Sequence, residues 1–370
     1  MKKNELLLSP VSLFVVVGVA YLVCLFIISI VLKMNIPVGD VNGYWQDSLS
    51  ISSPYNAYHV PGYPYLIIIF NWITLGLLQP IWVMRIINLI ALAVGIFMVY
   101  RIAFLVKPSQ NLAVISAFLY ACWPFVGITN SVHPLADAPA LAFFLLGVYG
   151  LFKQRVILGG VVLGLALFTH KGTWPFVLLF ILAWCWQNRT MINWRWLASL
   201  ILLVLPLVAL WLFGWSKVGN PYWILSSSMN SRYSFTSGQT IPFSGIISAF
   251  HPASIKDIAR SGTILGSFLF GVFCFVYGLR SKAPWQLYSL AISFVVLFYA
   301  ASFNYEAQWY TVRFARLLVL PVVWTFPNLP TNNSGDIEKW VKVLIILTAL
   351  LLIFTQIVFT LYLRSYFDLS

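Results

Sequence analysis

Apolar residues form long runs that recur from one end of the chain to the other, separated by short polar segments. The longest interruption, 214–261, is long enough for a structured outer loop but too short for a soluble domain of ordinary size. The runs therefore predict a single all-α membrane domain, 1–370, with about eleven transmembrane helices. The predicted spans are 11–32, 82–104, 112–129, 138–152, 157–169, 174–186, 196–213, 264–279, 287–303, 314–326 and 341–363.

Composition indicates the same class of protein. Hydrophobic residues make up 61% of the chain and charged residues 8%, and the mean hydropathy is +0.90. These values are typical of polytopic membrane proteins and exclude an ordinary soluble domain. No small-residue cleavage site follows the first apolar run, which favours a retained span with a cytoplasmic N-terminus over a signal peptide.

The chain is basic, with 22 Lys and Arg residues, nine acidic residues and a net charge of +13. The basic residues are scattered, mostly in pairs at the ends of predicted spans, and form no stripe of the kind that binds nucleic acid. We therefore expect a lipid bilayer as partner, and no nucleic acid, with the positive charge serving to anchor the inner face.

The segment 33–81 is interpreted as the first outer loop. Part of it, 63–78, is apolar but short, and we interpret it as a juxtamembrane helix that lies at the interface without crossing. Twelve Lys and Arg residues then lie in inner segments; of the other ten, four lie in the loop 214–261 and six in short outer loops. If 63–78 spans the membrane instead, 11 basic residues lie on each side and the inside bias disappears.

Eleven ionisable residues fall on or near the same predicted outer face. Charged groups close to a bilayer are costly, so a chain this apolar keeps them mainly where they have a function. We therefore predict one polar pocket at the outer boundary, with the loop 214–261 over the same face. The eleven residues are Asp40, Asp47, His59, Arg85, His133, Asp137, His170, Lys171, Glu306, Arg313 and Arg316.

Several short motifs around these residues resemble, in order and sidedness, those of the GT-C glycosyltransferases. The resemblance is greatest to the protein mannosyltransferase and lipid A aminoarabinose transferase branch. One departure is that Val60, with His59 beside it, stands where the aminoarabinose transferases have a lysine. The matching elements are Asp40, Tyr44-Trp45, Pro61-Gly62-Tyr63-Pro64, Arg85-Ile86-Ile87-Asn88, Asp137, Gly164 to Lys171, and Arg313 to Pro321.

The resemblance implies a membrane enzyme with a GT-C-like fold. Such an enzyme transfers a sugar from a polyprenyl-phosphate carrier to a hydroxyl of a glycan, lipid or protein acceptor, with inversion. Its active site would lie on the outer face of a bacterial or archaeal plasma membrane.

The acceptor hydroxyl must lose its proton as it attacks the anomeric carbon, and a nearby carboxylate is a suitable general base. We predict this role for Asp40; the alternative is an exposed turn residue, because the pair Asn42-Gly43 follows it. Asp137 is the second predicted catalytic residue, to orient the acceptor, hold the donor sugar or bind a divalent metal together with Asp40. The alternative interpretation of Asp137 is that it caps the N-terminus of a helix. No other cofactor is predicted.

The leaving group is a polyprenyl phosphate, whose developing negative charge needs cations. Arginine suits phosphate because its planar guanidinium donates two parallel hydrogen bonds. For Arg85 and Arg316 the alternative is snorkelling towards lipid headgroups. The predicted phosphate-binding residues are Arg313, Lys171, Arg85, Arg316 and His59; the predicted substrate-binding residues are Asp47, Tyr44, Trp45, Tyr63, His133 and Glu306.

Two other classes of membrane protein are alternatives. A transporter or flippase of lipid-linked glycans would carry charged residues in mid-span, along a path through the bilayer. A glycan polymerase or ligase also combines many spans with a large outer loop, but depends on outer arginines more than on an aspartate in the first loop. The charges at span ends, and the position of Asp40, favour the transferase.

Overall fold

The computed structural model describes residues 10–31, 35, 37, 39–49, 60–123, 128–189, 193–219, 255–280, 285–301, 311 and 313–325. All regular secondary structure in these ranges is helical, which confirms the predicted all-α class. His59, Glu306, the predicted span 341–363 and the middle of the predicted loop 214–261 lie outside the described residues.

The described ranges contain thirteen α-helices, three of which adjoin a short turn of another helix type. The α-helices are α1 (Pro10–Phe26), α2 (Asp40–Ser48), α3 (Gly62–Ile73), α4 (Pro80–Val106), α5 (Gln110–Ala121), α6 (Thr129–Val132), α7 (Asp137–Phe152), α8 (Val156–Thr169), α9 (Trp174–Gln187), α10 (Trp194–Val218), α11 (Ile255–Arg280), α12 (Gln286–Ala301) and α13 (Val319–Thr325). A π-helical turn, Ile27–Val31, extends α1, and 3-10 turns, Lys171–Thr173 and Ala315–Leu318, precede α9 and α13.

Local sequence explains where several helices begin and end. Pro80 opens α4, where a missing N–H costs nothing. The Ser109 side chain caps α5 by accepting a hydrogen bond from the Leu112 N–H at 3.4 Å. Gly219 ends α10 in a left-handed conformation, with φ 73°, which glycine adopts without a steric penalty.

Two interpretations of the first outer segment need correction. The Asn42-Gly43 pair lies inside α2, so the alternative interpretation of Asp40 as a turn residue is wrong. The helix predicted over 63–78 is present as α3 but ends at Ile73, because the chain then turns through a left-handed Gly76 with φ 69°.

Two later boundaries were also predicted wrongly. The predicted span 112–129 is interrupted, because α5 ends at Ala121 and α6 is a separate short helix. The loop predicted over 214–261 is shorter at both ends, since α10 continues to Val218 and α11 begins at Ile255.

Contacts between helix ends show how the helices are directed: α9 and α10, and α7 and α12, run in opposite directions, whereas α4 and α7 run in the same direction. At the end of α9, Trp184 stacks on Trp196 at the start of α10, with ring centroids 3.3 Å apart. At the end of α7, Phe152 lies 4.8 Å from Trp285, which precedes α12. Near the end of α4, Arg101 donates a hydrogen bond to Tyr149 of α7 at 3.0 Å.

These contacts all lie at one end of the bundle, which we call the basic end. It carries exposed cationic side chains, and the opposite end is where α7 begins and α8 finishes. The exposed basic residues of the basic end are Arg101, Lys153, Arg155, Arg189, Arg195 and Arg280.

Small residues allow α8 to approach its neighbours closely. A Cβ on Gly164 would lie 3.0 Å from the Leu203 carbonyl of α10, and a Cβ on Gly160 would overlap Ser199. Ser199 also donates a hydrogen bond to the Val156 carbonyl at 2.8 Å, which joins the starts of α8 and α10. The backbone of α8 therefore lies close to those of its neighbours α7 and α10.

The bundle exposes apolar side chains as well as burying them. Val11 is 71% exposed, Trp194 69% and Leu77 83%. Among the described residues, two helices, Val11–Ile30 and Pro80–Val106, are long and apolar enough to cross a membrane on length and composition alone.

Candidate functional site

Asp137, the first residue of α7, is fully buried between two cationic or potentially cationic side chains. Its Oδ1 lies 3.3 Å from Nε2 of His170, and its Oδ2 lies 3.5 Å from Nη1 of Arg313. The residue before it, Ala136, occupies the N-cap position, and no side-chain cap hydrogen bond forms. The alternative interpretation of Asp137 as an N-cap is therefore wrong. A buried carboxylate is stable only when paired, so this grouping defines the candidate site.

His170 follows the last residue of α8 and is held in one orientation. Its Nδ1 accepts a hydrogen bond from the Gly172 N–H at 2.9 Å. A neutral imidazole has one protonated nitrogen, so an accepting Nδ1 places the proton on Nε2, the atom that faces Asp137. The Tyr299 hydroxyl donates to the Gly172 carbonyl at 2.8 Å and ties this turn to α12.

Arg313 reaches the site from the segment before α13. Its side chain is 17% exposed, and its Nη1 faces Asp137. The next residue, Phe314, lies against the His170 ring at 5.6 Å. A Cβ on Gly172 would lie 2.5 Å from the Phe314 ring, so glycine is needed for this packing.

Arg316, one turn beyond Arg313, lies in a different environment. It is 1% exposed, and its guanidinium lies over the Tyr120 ring at 5.0 Å. Its three side-chain nitrogens make no hydrogen bond to any of the described residues. Snorkelling to lipid headgroups is therefore wrong for Arg316, because the group is enclosed by protein.

Arg85 and Asn88, one turn apart on α4, hold the segment that precedes Asp137. Arg85 is 1% exposed and donates from Nε to the Val132 carbonyl at 3.0 Å, so it does not snorkel either. The Asn88 amide donates to the Leu135 carbonyl at 2.7 Å and to the Asn130 carbonyl at 3.1 Å. These bonds satisfy buried carbonyls of α6 and of the turn that follows it, and fix the start of α7.

His133 lies in this segment and is buried. Burial lowers its pKa from 6.5 to about 4; the charge of Asp40 acts in the opposite direction, and Arg313 and Arg85 lower the pKa further. His133 is therefore neutral near pH 7. Asp40, Arg313 and Arg85 therefore all lie within electrostatic range of His133.

The two aspartates of α2 differ in exposure. Asp40 is exposed, whereas Asp47 is 6% exposed and faces the protein. Asp40 is also the first residue of its helix, where the helix dipole favours a negative charge. Of the two, only Asp40 is open to a substrate.

The predicted aromatic residues lie mainly inside an apolar cluster. Tyr63 is fully buried, and its hydroxyl donates to Asn88 Oδ1 at 2.8 Å. Tyr44 packs edge-on against it, with ring centroids 5.0 Å apart, and Trp45 packs partly buried against the same cluster. Burial raises the pKa of Tyr63, and the nearby Asp137 charge raises it further. Because these rings pack within the protein, where Tyr63 contacts Asn88, they are not placed to stack on a sugar.

Gly62 explains how α3 approaches the site. A Cβ there would overlap the Phe168 carbonyl and lie 2.8 Å from the Thr169 Cα, at the end of α8. Tyr65 stacks on the Phe168 ring at 6.0 Å. The Pro/Gly/Tyr element thus joins α3 to the turn that carries His170.

Sequence reasoning gave no separate role to Asn88, Gly62, Gly172 or His170. The available signal for Asn88 was a polar residue inside an otherwise apolar span, and His170 was already among the outer polar residues. Nothing in the local pattern marks Gly172, because its importance comes from Phe314, a distant residue.

Lys171, next to His170, is partly exposed and adds a cation at the edge of the site. No group of three or more His, Cys, Asp or Glu side chains among the described residues could hold a metal ion. No protein-family model, curated protein or solved structure matches the chain.

Proposed function

We propose that the chain is a polytopic membrane glycosyltransferase that takes a sugar from a polyprenyl-phosphate carrier. The observation that carries the proposal is the buried Asp137, paired with His170 and Arg313 at one end of the bundle, with an exposed Asp40 in the same region. A partly exposed arginine side chain and an exposed carboxylate, both within electrostatic range of His133, suit a reaction in which a hydroxyl is deprotonated and a phosphate leaves.

The lengths of the helices and their exposed apolar side chains support membrane insertion. The helices α10 and α11 contain 25 and 26 residues, and α4 contains 27. At about 1.5 Å per residue these helices exceed the roughly 30 Å of a bilayer core. Exposed apolar side chains along α1 and α10 would face lipid. The cluster of exposed cations at the basic end supports a cytoplasmic location for that end, and so an outer location for the site.

Asp40 is proposed as the general base. The acceptor oxygen forms a bond to the anomeric carbon while its proton passes to the Asp40 carboxylate. The bond between the anomeric carbon and the carrier phosphate oxygen breaks, and its electron pair leaves with the phosphate. Attack from the opposite face inverts the configuration.

Arg313, with Lys171 near it, is proposed to stabilise the leaving phosphate. Its side chain is 17% exposed, whereas Arg85 and Arg316 are each 1% exposed and turned into the protein. Asp137 has no exposed surface, so we propose that it positions Arg313 and does not itself touch the substrate. This revises the catalytic role expected for Asp137.

The test is transfer by the purified full chain, with candidate polyprenyl-phospho-sugars as donors and a membrane extract as acceptor. We expect Asp40→Asn to reduce turnover by at least about a hundredfold, because the general base is lost. Asp40→Glu, which keeps a carboxylate, serves as the control and should retain part of the activity. If the Asp40→Asn variant folds and turns over within a few-fold of the wild type, Asp40 is not the base.

A further inference from the structure

The environment of His170 points to a role that the proposed reaction does not by itself require. Asp137 has no exposed surface, and each of its oxygens faces one side chain, His170 or Arg313. A carboxylate held from one side only could rotate about its Cβ–Cγ bond and release its partner. Contacts at both oxygens oppose that rotation.

Three hydrogen bonds hold His170 in place beside Asp137. The Gly172 N–H donates to Nδ1 at 2.9 Å, which leaves Nε2 as the protonated atom 3.3 Å from Asp137. Gly172 is itself fixed by the Tyr299 hydroxyl, which donates to its carbonyl at 2.8 Å. Thr173 further secures the turn by donating to the His170 carbonyl at 2.7 Å. The ring is therefore oriented before any substrate arrives.

We propose that His170 is a positioning residue, which acts through Asp137 on Arg313. Its Nε2 lies 3.3 Å from one carboxylate oxygen and limits rotation of the carboxylate, so that the other oxygen stays close to Nη1 of Arg313 and the guanidinium keeps one direction. This inference deepens the proposed function, since the group that Arg313 would meet is the carrier phosphate. The positioning itself is a property of the protein without substrate.

Two substitutions separate the two contacts of His170. His170→Asn keeps an acceptor near the position of Nδ1 but cannot reach Asp137. His170→Gln places an amide N–H near the position of Nε2 but leaves the Gly172 N–H without its acceptor. If His170 only stabilises its own turn, the His170→Asn variant should resemble the wild type more closely. If His170 positions Asp137, the His170→Gln variant should resemble it more closely.

The readout is the rate at which an arginine-selective dicarbonyl reagent modifies Arg313, followed by mass spectrometry on the folded chain in detergent. Arg101, exposed at the basic end, is the internal reference in each digest. We expect His170→Asn and Asp137→Asn to raise the Arg313 rate by about tenfold, the low end of the coupling between close charge pairs. His170→Gln should return it to near the wild-type value.

Ring-nitrogen NMR of the wild type gives a second, independent measurement. One histidine should show an Nε2–H tautomer that disappears from the spectrum of the His170→Asn variant. An Nδ1–H tautomer at His170, an unchanged Arg313 rate in His170→Asn, or equal rates in the two His170 variants would each overturn the inference. Neither measurement needs sugar transfer, so a protein that positions Arg313 but transfers no sugar would refute only the proposed function.

Discussion

Two arginines with nearly equal burial differ in their partners. Arg85 and Arg316 are each 1% exposed. Arg85 donates to the Val132 carbonyl, whereas the Arg316 nitrogens have no hydrogen-bond partner among the described residues and only the Tyr120 ring lies against the guanidinium. A buried charge without hydrogen bonds is costly, whereas a satisfied one is costly to remove.

Replacing each arginine by methionine should therefore have opposite effects. Arg316→Met should unfold at the same temperature as the wild type or higher, with a gain of up to about 1–4 kcal/mol. Arg85→Met should lose about 1.5–3 kcal/mol, because it leaves a buried carbonyl unpaired. Thermal unfolding in neutral detergent measures both. An equal loss in the two variants would mean that the Arg316 guanidinium has a stabilising partner.

His133 should make stability depend on pH. Its pKa is lowered to about 4 by burial, against 6.5 for the ordinary side chain. Above pH 6.5 the group is neutral in the folded and unfolded states, so its contribution is complete there. Between 6.5 and 4 the unfolded state binds the proton first, and stability falls by something of the order of 3 kcal/mol. Below 4 this group causes no further loss.

His133→Asn, which cannot take up a proton, should flatten that part of the profile. Unfolding temperatures from pH 7 to pH 4.5 would be compared between the variant and the wild type. Curves that stay parallel through this window would exclude His133 as the titrating group.

Sequence reasoning placed Asp137, His170 and Arg313 on one face. In the structure, His170 and Arg313 each lie within 3.5 Å of an Asp137 carboxylate oxygen. That grouping was predictable because counting spans determines which helix ends meet. The burial of Arg85 and Arg316 was not, since it depends on helix rotation, which a run of apolar residues does not define.

At the scale of elements, the contact between α3 and the end of α8 depends on Gly62. A Cβ there meets the Phe168 carbonyl and the Thr169 Cα, which are backbone atoms and cannot move aside as a side chain can. Gly62→Ala should destabilise the fold by about 1–3 kcal/mol. Gly18→Ala, on α1 with nothing within 4 Å of the new Cβ, is the matched control and should be neutral or slightly stabilising. Denaturant titration compares the two; a neutral Gly62→Ala would mean that α3 can shift without cost.

Helices were easier to predict than their ends. Long apolar runs such as Pro80–Val106 were recognised, because such a run has few other stable forms. The helix α2 was missed as a helix, because Asn42-Gly43 is a typical turn pair and its helical conformation depends on Val41 and Tyr44 packing against α3 and α4.

At the scale of the whole molecule, the proposed arrangement makes a labelling prediction. Single cysteines replacing exposed Gln46 and Gln79, in a chain without the four native cysteines, should react from outside with an impermeant reagent. A cysteine replacing exposed Gln154, at the basic end, should react only after the membrane is opened. If Gln46 and Gln79 label from opposite sides, α3 crosses the membrane and the interfacial interpretation is wrong.

The candidate site joins segments that are made at very different times. Asp137 and His170 belong to one helical hairpin, whereas Arg313 lies far later in the chain. As synthesis proceeds from the N-terminus, that hairpin emerges from the ribosome long before its arginine. Before Arg313 is synthesised, burial of the Asp137 carboxylate is unfavourable, and this disfavours closure of the hairpin around it. Closure around Asp137 is then among the last steps of folding, and a nascent chain released early would lack the completed group of Asp137, His170 and Arg313.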